Sequence, residues 1–259
     1  MVESRFDDLL ARVDSIHRMS ELEAQNFVNE VYRDGIVSRH EAEALFDLNA
    51  QIGGTDAHWD SRFREAIKDF LLTVEAPIGW VDEAECEWLI GRVSESGEVS
   101  ETQIDLLLDV LRYAEGAPQR LGWFALKAVC NRAKAEKRVS EANVERVRRA
   151  LYAPAGDGAT WVTREEANML FALNDACAFA RNDPTWNDLF ARAVGNHLLA
   201  AAHPNPLTEA QALAREKWLS GETTGVASFF SSAVNSLTDG SWFRKITQNE
   251  ARARAARMA

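Results

Sequence analysis

The sequence of 259 residues predicts an all-α fold: tandem three-helix repeats of about 60 residues each, stacked in one elongated helical array. A helix-start pattern occurs seven times, as an apolar residue, a capping residue, two further residues, Glu, Gln or Asn, and an apolar residue. Short and long steps alternate between the copies, which indicates a repeating unit. Strand patterns are almost absent. The seven capping residues are Ser20, Ser38, Asp82, Ser100, Ser140, Thr163 and Thr208.

The copy at Val37-Ser38 illustrates why this pattern predicts a helix start. The Ser38 side chain can accept a hydrogen bond from the backbone N–H three residues later, and Glu41 can reach back to the N–H of the cap. Val37 can then pack on Ala42 inside the first turn. Because all seven copies have apolar residues on both sides, each is expected to open a helix.

The elements follow in order from these starts. A first helix is expected at about 3–17, and each unit then holds a short helix A, a capped helix B and a helix C in the long gap. Pro77 and Gly79 break the chain after the first unit, and the Gly-containing loop 153–158 is a candidate hinge. The predicted repeat body covers residues 1–219, with units at about 20–74, 82–135 and 140–200 and a partial fourth from 208.

Matches inside the helices support the repeat. Helix B reads Leu-Phe-x-Leu-Asn in the first and third units, ending at Asn49 and Asn174, and helix C carries Trp59 and later Trp186 four residues before a phenylalanine. Trp123 marks the middle copy less cleanly. The two asparagines are expected either to cap carbonyl groups at the helix ends or to line a shared pocket.

The C-terminal segment 220–259 differs from the body. It holds five basic and three acidic residues, a net charge of +2, which leaves −13 for the remainder. The segment is amphipathic, so it either docks on the body as a further helix or binds a partner or a membrane surface through residues 226–246. The candidate partner-binding residues of this tail are Phe229, Phe230, Trp242 and Phe243.

Composition bounds the function classes. A net charge of −11 argues against nucleic-acid binding, because an acidic surface repels phosphates. The three cysteines have no metal-binding spacing and are expected to be buried free thiols. No signal peptide and no apolar run of about 18 residues is visible, so a cytoplasmic protein is expected.

The turn between the first helices A and B is the candidate metal site. Asp34-Gly35-Ile36-Val37-Ser38 followed by Glu41 matches the second half of an EF-hand calcium loop, whereas the first half offers Glu30 and lacks a second carboxylate. A weak site for calcium or another divalent cation, through Glu30, Asp34 and Glu41, is therefore the alternative to a purely structural turn. No other cofactor is expected.

The same residues carry a family resemblance. The turn Asp34-Gly35, followed by Val37, Ser38 and Glu41, resembles the signature turn of TerB-like domains, an all-helical family linked to tellurite resistance and related stress systems. The resemblance covers this turn and a partial echo near residue 97. It implies an acidic, cytoplasmic helical module that is associated with metal.

Catalytic motifs are missing from the sequence, which contains no HExxH, GxSxG or phosphate-binding loop. Trp80 and Trp161 each stand one residue before an apolar residue of the helix-start pattern, where they pack between repeats or form an aromatic groove for a peptide. The favoured function is a non-enzymatic interaction or adaptor module with a protein partner. A cation-binding TerB-like stress module is second, and an enzyme with a dispersed site is third.

Overall fold

A computed structural model of the chain describes residues 37–52, 57–152 and 161–202, together with positions 26 and 29. Within these ranges the chain forms eight α-helices and no strand, which confirms the all-α prediction. The helices are α1 (Arg39–Ile52), α2 (Ala57–Asp69), α3 (Glu83–Ser94), α4 (Glu101–Tyr113), α5 (Gln119–Ala135), α6 (Glu141–Leu151), α7 (Arg164–Ala176) and α8 (Trp186–Ala202), and a π-helical turn over Phe70–Val74 continues α2.

Some predicted features lie outside the described residues. These are the first helix, the caps at Ser20 and Thr208, the candidate hinge loop 153–158 and the tail 220–259. The contacts divide the chain into two compact units, one up to Leu121 and one from Gly122 onward. The stacking of three repeats into one array stays a prediction.

Five described helices begin where the helix-start pattern predicts. In four of them the side chain of the cap accepts from the backbone N–H three residues later, and the side chain of that residue accepts from the N–H of the cap. Ser140 keeps only the first bond: the Asn143 Nδ2 group donates to Glu136 at 2.9 Å, and Asn143 Oδ1 has no hydrogen-bond partner among the described residues. The four reciprocal pairs are Ser38–Glu41, Asp82–Glu85, Ser100–Gln103 and Thr163–Glu166.

Four of the five valines that precede these caps are buried, and three of the four also use their backbone N–H in a long-range hydrogen bond. Val37, Val81, Val139 and Val162 are all buried. For three of them the backbone N–H donates to a group far along the chain, which satisfies a donor that no helix uses. The acceptors are the carbonyl oxygen of Gly116 for Val81 (2.9 Å), Asn182 Oδ1 for Val139 (2.8 Å) and Asn196 Oδ1 for Val162 (2.6 Å).

In the first unit α2 packs against α1, α4 and the π-helical turn. Arg64 of α2 donates to Asp109 of α4 at 2.9 Å. Arg92 of α3 donates to the Glu43 carbonyl oxygen at 2.9 Å and also to the Asp47 carboxylate, both in α1. These charged hydrogen bonds fix the helices in one register around an apolar core.

In the second unit α8 packs against α6 and α7. The side chain of Asn196 in α8 is fully buried and accepts the Val162 N–H just before α7 begins. Next to it, His197 Nδ1 lies 2.9 Å from the Val162 carbonyl oxygen. One turn of α8 therefore binds both the N–H and the carbonyl oxygen of Val162.

A buried amide–indole hydrogen bond joins two consecutive helices in each unit. Trp59 Nε1 of α2 donates to Asn49 Oδ1 of α1 at 3.0 Å, and Trp186 Nε1 of α8 donates to Asn174 Oδ1 of α7 at 3.2 Å. Both indole rings and both amides are buried. From the sequence, the two asparagines were expected to cap carbonyl groups or to line a shared pocket, and this bond was not predicted. The asparagines and the tryptophans had been matched only by their positions in the repeat.

Phenylalanine pairs next to these bonds also correspond. The rings of Phe46 and Phe63 meet edge to face with centroids 5.2 Å apart, and those of Phe171 and Phe190 do the same at 5.2 Å. Such edge-to-face pairs are favourable beyond the apolar area that they bury. Thus α1–α2 and α7–α8 are helix pairs with matching internal contacts.

Glu85 is a buried carboxyl in the start of α3. Its Oε2 atom accepts the Asp82 backbone N–H at 2.7 Å. Burial is the main cause that raises the pKa of the Glu85 carboxyl, and the carboxylates of Asp82 and Glu75 raise it further. The hydrogen bond from the Asp82 N–H and the positive charge of Arg39 lower the pKa in part. The folded protein therefore holds the Glu85 proton more tightly than the unfolded chain does.

Substitution Glu85→Gln tests this shift. The stabilisation from a raised carboxyl pKa is complete below the unfolded pKa and is lost as the pH rises through the folded pKa. The introduced glutamine keeps an acceptor for the Asp82 N–H, as Gln103 does for Ser100. Denaturant unfolding at pH 4 to 8 should show the variant gaining stability over the wild type as the pH rises.

The control is Glu87→Gln, an exposed position on the same helix. It should leave the pH dependence of unfolding unchanged. Parallel pH profiles for the wild type and the Glu85→Gln variant would contradict the assigned shift.

Candidate functional site

Exposed apolar side chains gather at one end of the first unit. Val74, Ile78, Trp80 and Tyr113, here called the apolar loop patch, are 37%, 69%, 48% and 57% exposed. Contiguous apolar patches on a protein surface mark interaction sites more often than scattered apolar residues do. Trp80 was predicted from the sequence as a partner-binding residue, and its side chain is 48% exposed; its role in binding stays a prediction.

Two chain segments build the patch, and backbone hydrogen bonds hold them together. The Gly79 N–H donates to the Leu72 carbonyl oxygen at 2.8 Å, and the Glu115 N–H donates to the Gly79 carbonyl oxygen at 2.7 Å. Gly79 has φ of +83°, a left-handed conformation that a residue with a β-carbon adopts at a cost. The loop that carries Ile78 and Trp80 is thus fastened beside the end of α4, which carries Tyr113.

Trp80 lies flat against the backbone of the second segment. A β-carbon on Gly116 would come within 2.2 Å of the Trp80 ring, so glycine is what allows this contact. The indole Nε1 also donates to Glu115 Oε2 at 3.1 Å. One face of the ring is therefore occupied, while about half of the side chain still meets solvent.

Two positively charged side chains lie close to the Tyr113 ring. The ammonium of Lys68 lies 5.1 Å from the ring centroid and the guanidinium of Arg112 lies 5.4 Å from it. Both distances are within the range of cation–π attraction. The phenol ring is therefore exposed and has two cations near it.

The remaining predicted partner-binding residues divide between the second unit and the undescribed tail. Trp161 is 37% exposed just before the start of α7, and a further apolar residue of the second unit, Phe179, is 73% exposed. Phe229, Phe230, Trp242 and Phe243 lie outside the described residues. The role of Trp161 in binding stays a prediction.

The predicted cation site can be examined only at Glu41. Its Oε2 atom accepts from the Ser38 N–H at 2.8 Å and from the Ser38 hydroxyl at 2.7 Å, so one carboxylate oxygen is engaged at the helix start. Glu30 and Asp34 lie outside the described residues. Among the described residues no group of three His, Cys, Asp or Glu side chains is placed to hold a metal ion.

The three cysteines are free and buried, as the sequence predicted. Burial raises the pKa of the Cys86, Cys130 and Cys177 thiols, and that of Cys130 reaches about 12. A thiol with a raised pKa carries little thiolate at neutral pH and is a poor nucleophile. Their surroundings are those of core side chains.

Sequence reasoning did not identify Ile78, Tyr113 or Arg112. Ile78 stands between Pro77 and Gly79, where no helical pattern can bury it, and this was the available signal. Tyr113 is the last residue of α4 and follows the long buried stripe of that helix.

In the part of the chain that the structure describes, no helix is long and apolar enough to cross a membrane.

Substitution Gly116→Ala should displace Trp80. The new methyl group overlaps the indole ring, and overpacking of this kind costs about 1–3 kcal/mol of unfolding free energy. Combining it with Trp80→Ala removes the overlap, so the double variant should lose less than the sum of the single losses. Denaturant unfolding of the four proteins measures this coupling.

A suitable control is Gly91→Ala in α3, where a β-carbon meets nothing within 4 Å. This change should be neutral or stabilising, because alanine favours a helix interior. Additive losses for Gly116→Ala and Trp80→Ala would contradict the stacking of the ring on Gly116.

Comparison with known proteins gives no further assignment: no family model matches the chain. No curated protein matches it. No solved structure matches it.

Proposed function

We propose that the protein is a non-enzymatic interaction module that binds a protein partner through the apolar loop patch. The observation that carries the proposal is the exposure of four large apolar side chains on two segments that backbone hydrogen bonds hold together. A pre-organised surface of this kind loses little entropy on binding. Aromatic residues at its centre are the type that dominates binding energy at interfaces.

The surroundings of the patch support the same function. The loop from Glu75 to Asp82 is anchored at both ends, because Arg39 pairs with Glu75 at 3.3 Å and Glu85 accepts from the Asp82 N–H. Charged side chains surround the apolar residues and can form the polar rim of an interface. We place the module in the cytoplasm, in line with its three free cysteines.

Capture of partners from a lysate of the source cells tests the proposal. The full-length chain serves as bait and is compared with the variant Ile78→Ser/Tyr113→Ser, which removes the two most exposed side chains of the patch. Loss of two apolar contacts at the centre of an interface should reduce the captured partner by about tenfold or more. Quantitative mass spectrometry measures the amounts.

The matched control is Phe179→Ser, which removes an even more exposed apolar side chain from the second unit. It should capture the same partner as the wild type. Circular dichroism and thermal unfolding establish that all three proteins are folded. Equal capture by the wild type and the patch variant would contradict the proposal.

A further inference from the structure

We propose that the partner segment is a peptide with an acidic side chain next to apolar ones, and that Arg112 binds its carboxylate. This inference rests on the proposed function, since it names the chemistry of what the apolar loop patch receives. A peptide of this kind fits the patch because exposed apolar side chains lie beside a guanidinium that has no carboxylate partner among the described residues.

Arg112 stands apart from the other cations of its unit. The described part of the first unit contains seven lysines and arginines, and six of them have a carboxylate within 4.0 Å. Within that same part of the chain Arg112 has none, although it is exposed and the whole protein carries a net charge of −11. The six pairs are Arg39–Glu75, Arg62–Glu65, Arg64–Asp109, Lys68–Asp69, Arg92–Glu95 and Arg120–Glu83.

Arg112 lies directly beside the apolar loop patch. Its guanidinium lies 5.4 Å from the centroid of the Tyr113 ring, and Tyr113 lies two residues before Glu115, whose N–H binds the Gly79 carbonyl oxygen. An apolar side chain that packs on Tyr113 and Ile78 would therefore bring its neighbours within reach of Arg112.

The local charges favour a carboxylate on this side of the patch. Lys68 adds a second positive charge at Tyr113, although it is paired with Asp69 at 3.4 Å. The acidic group of the patch, Glu115, lies at the Trp80 side, where it accepts the indole N–H. Guanidinium matches a carboxylate with two parallel hydrogen bonds, which sets the orientation of a partner as well as its affinity.

Selection from a displayed library of random twelve-residue peptides tests the inference on the full-length chain. Peptides enriched on the wild type should contain Asp or Glu beside aromatic or aliphatic residues. Fluorescence anisotropy then measures the affinity of the most enriched peptide and of its copy with the acid changed to Gln or Asn. The proteins compared are the wild type, Arg112→Gln, Ile78→Ser/Tyr113→Ser and the control Phe179→Ser.

A double-mutant cycle provides the sharp result. Arg112→Gln should weaken the acidic peptide about tenfold, the amide copy should bind the wild type about tenfold more weakly, and the two changes together should add little more. Ile78→Ser/Tyr113→Ser should abolish binding of both peptides, and Phe179→Ser should leave both affinities unchanged.

Four results would overturn the inference. Enriched peptides that need Ile78 and Tyr113 but carry no acid would refute the carboxylate while leaving the interaction surface intact. Independent, additive losses in the cycle would show that Arg112 does not bind that acid. A peptide occupant would be refuted if no enriched peptide were sensitive to the Ile78→Ser/Tyr113→Ser change. It would also be refuted if the patch bound anionic vesicles and no peptide.

Discussion

A buried hydrogen bond from a tryptophan indole to an asparagine amide joins consecutive helices in both units, whereas the buried indole N–H groups of Trp88 and Trp123 have no acceptor among the described residues. A buried donor without an acceptor costs about 1–3 kcal/mol, comparable to a large part of the stability of a small domain. Asn49 and Asn174 supply the acceptor from the preceding helix, so each bond fixes how two consecutive helices cross. An edge-to-face phenylalanine pair packs next to each of these bonds.

The middle sequence copy shows what happens without the amide. Its counterpart of Asn49 in the sequence is Leu111, which has no side-chain acceptor. The indole N–H of Trp123 is buried and has no hydrogen-bond partner among the described residues. The copies thus share a pattern of helix starts and apolar positions, and differ in the polar bond that makes a helix pair specific.

Helix starts could be predicted from the sequence because their physics is local. Ser38, Asp82 and Thr163 reach partners three residues away, so spacing along the chain is sufficient to find them. The long-range acceptors for the preceding valines could not be predicted. Gly116 and Asn196 are ordinary residues in the sequence, and only the packing of the helices brings them to Val81 and Val162.

The candidate site follows the same division. Trp80 could be named as a candidate because its place beside a helix start is a local feature, whereas Ile78, Tyr113 and Arg112 were not named. That Arg112 has no ion partner in the described ranges depends on where the carboxylates of the fold lie, and sequence spacing does not contain that information. The apolar loop patch is therefore a product of tertiary structure: a loop held by backbone bonds, an indole ring on a glycine and a tyrosine at a helix end.

The most direct test of this account is a double-mutant cycle on the Asn49–Trp59 bond, followed by denaturant unfolding. Asn49→Leu alone should cost about 1–3 kcal/mol because it leaves the indole N–H buried and unpaired. Asn49→Leu with Trp59→Phe should lose clearly less than the sum of the single losses, and Asn174 with Trp186 should behave alike. Additive losses, or no loss for Asn49→Leu, would show that the bond does not hold the helix pair together.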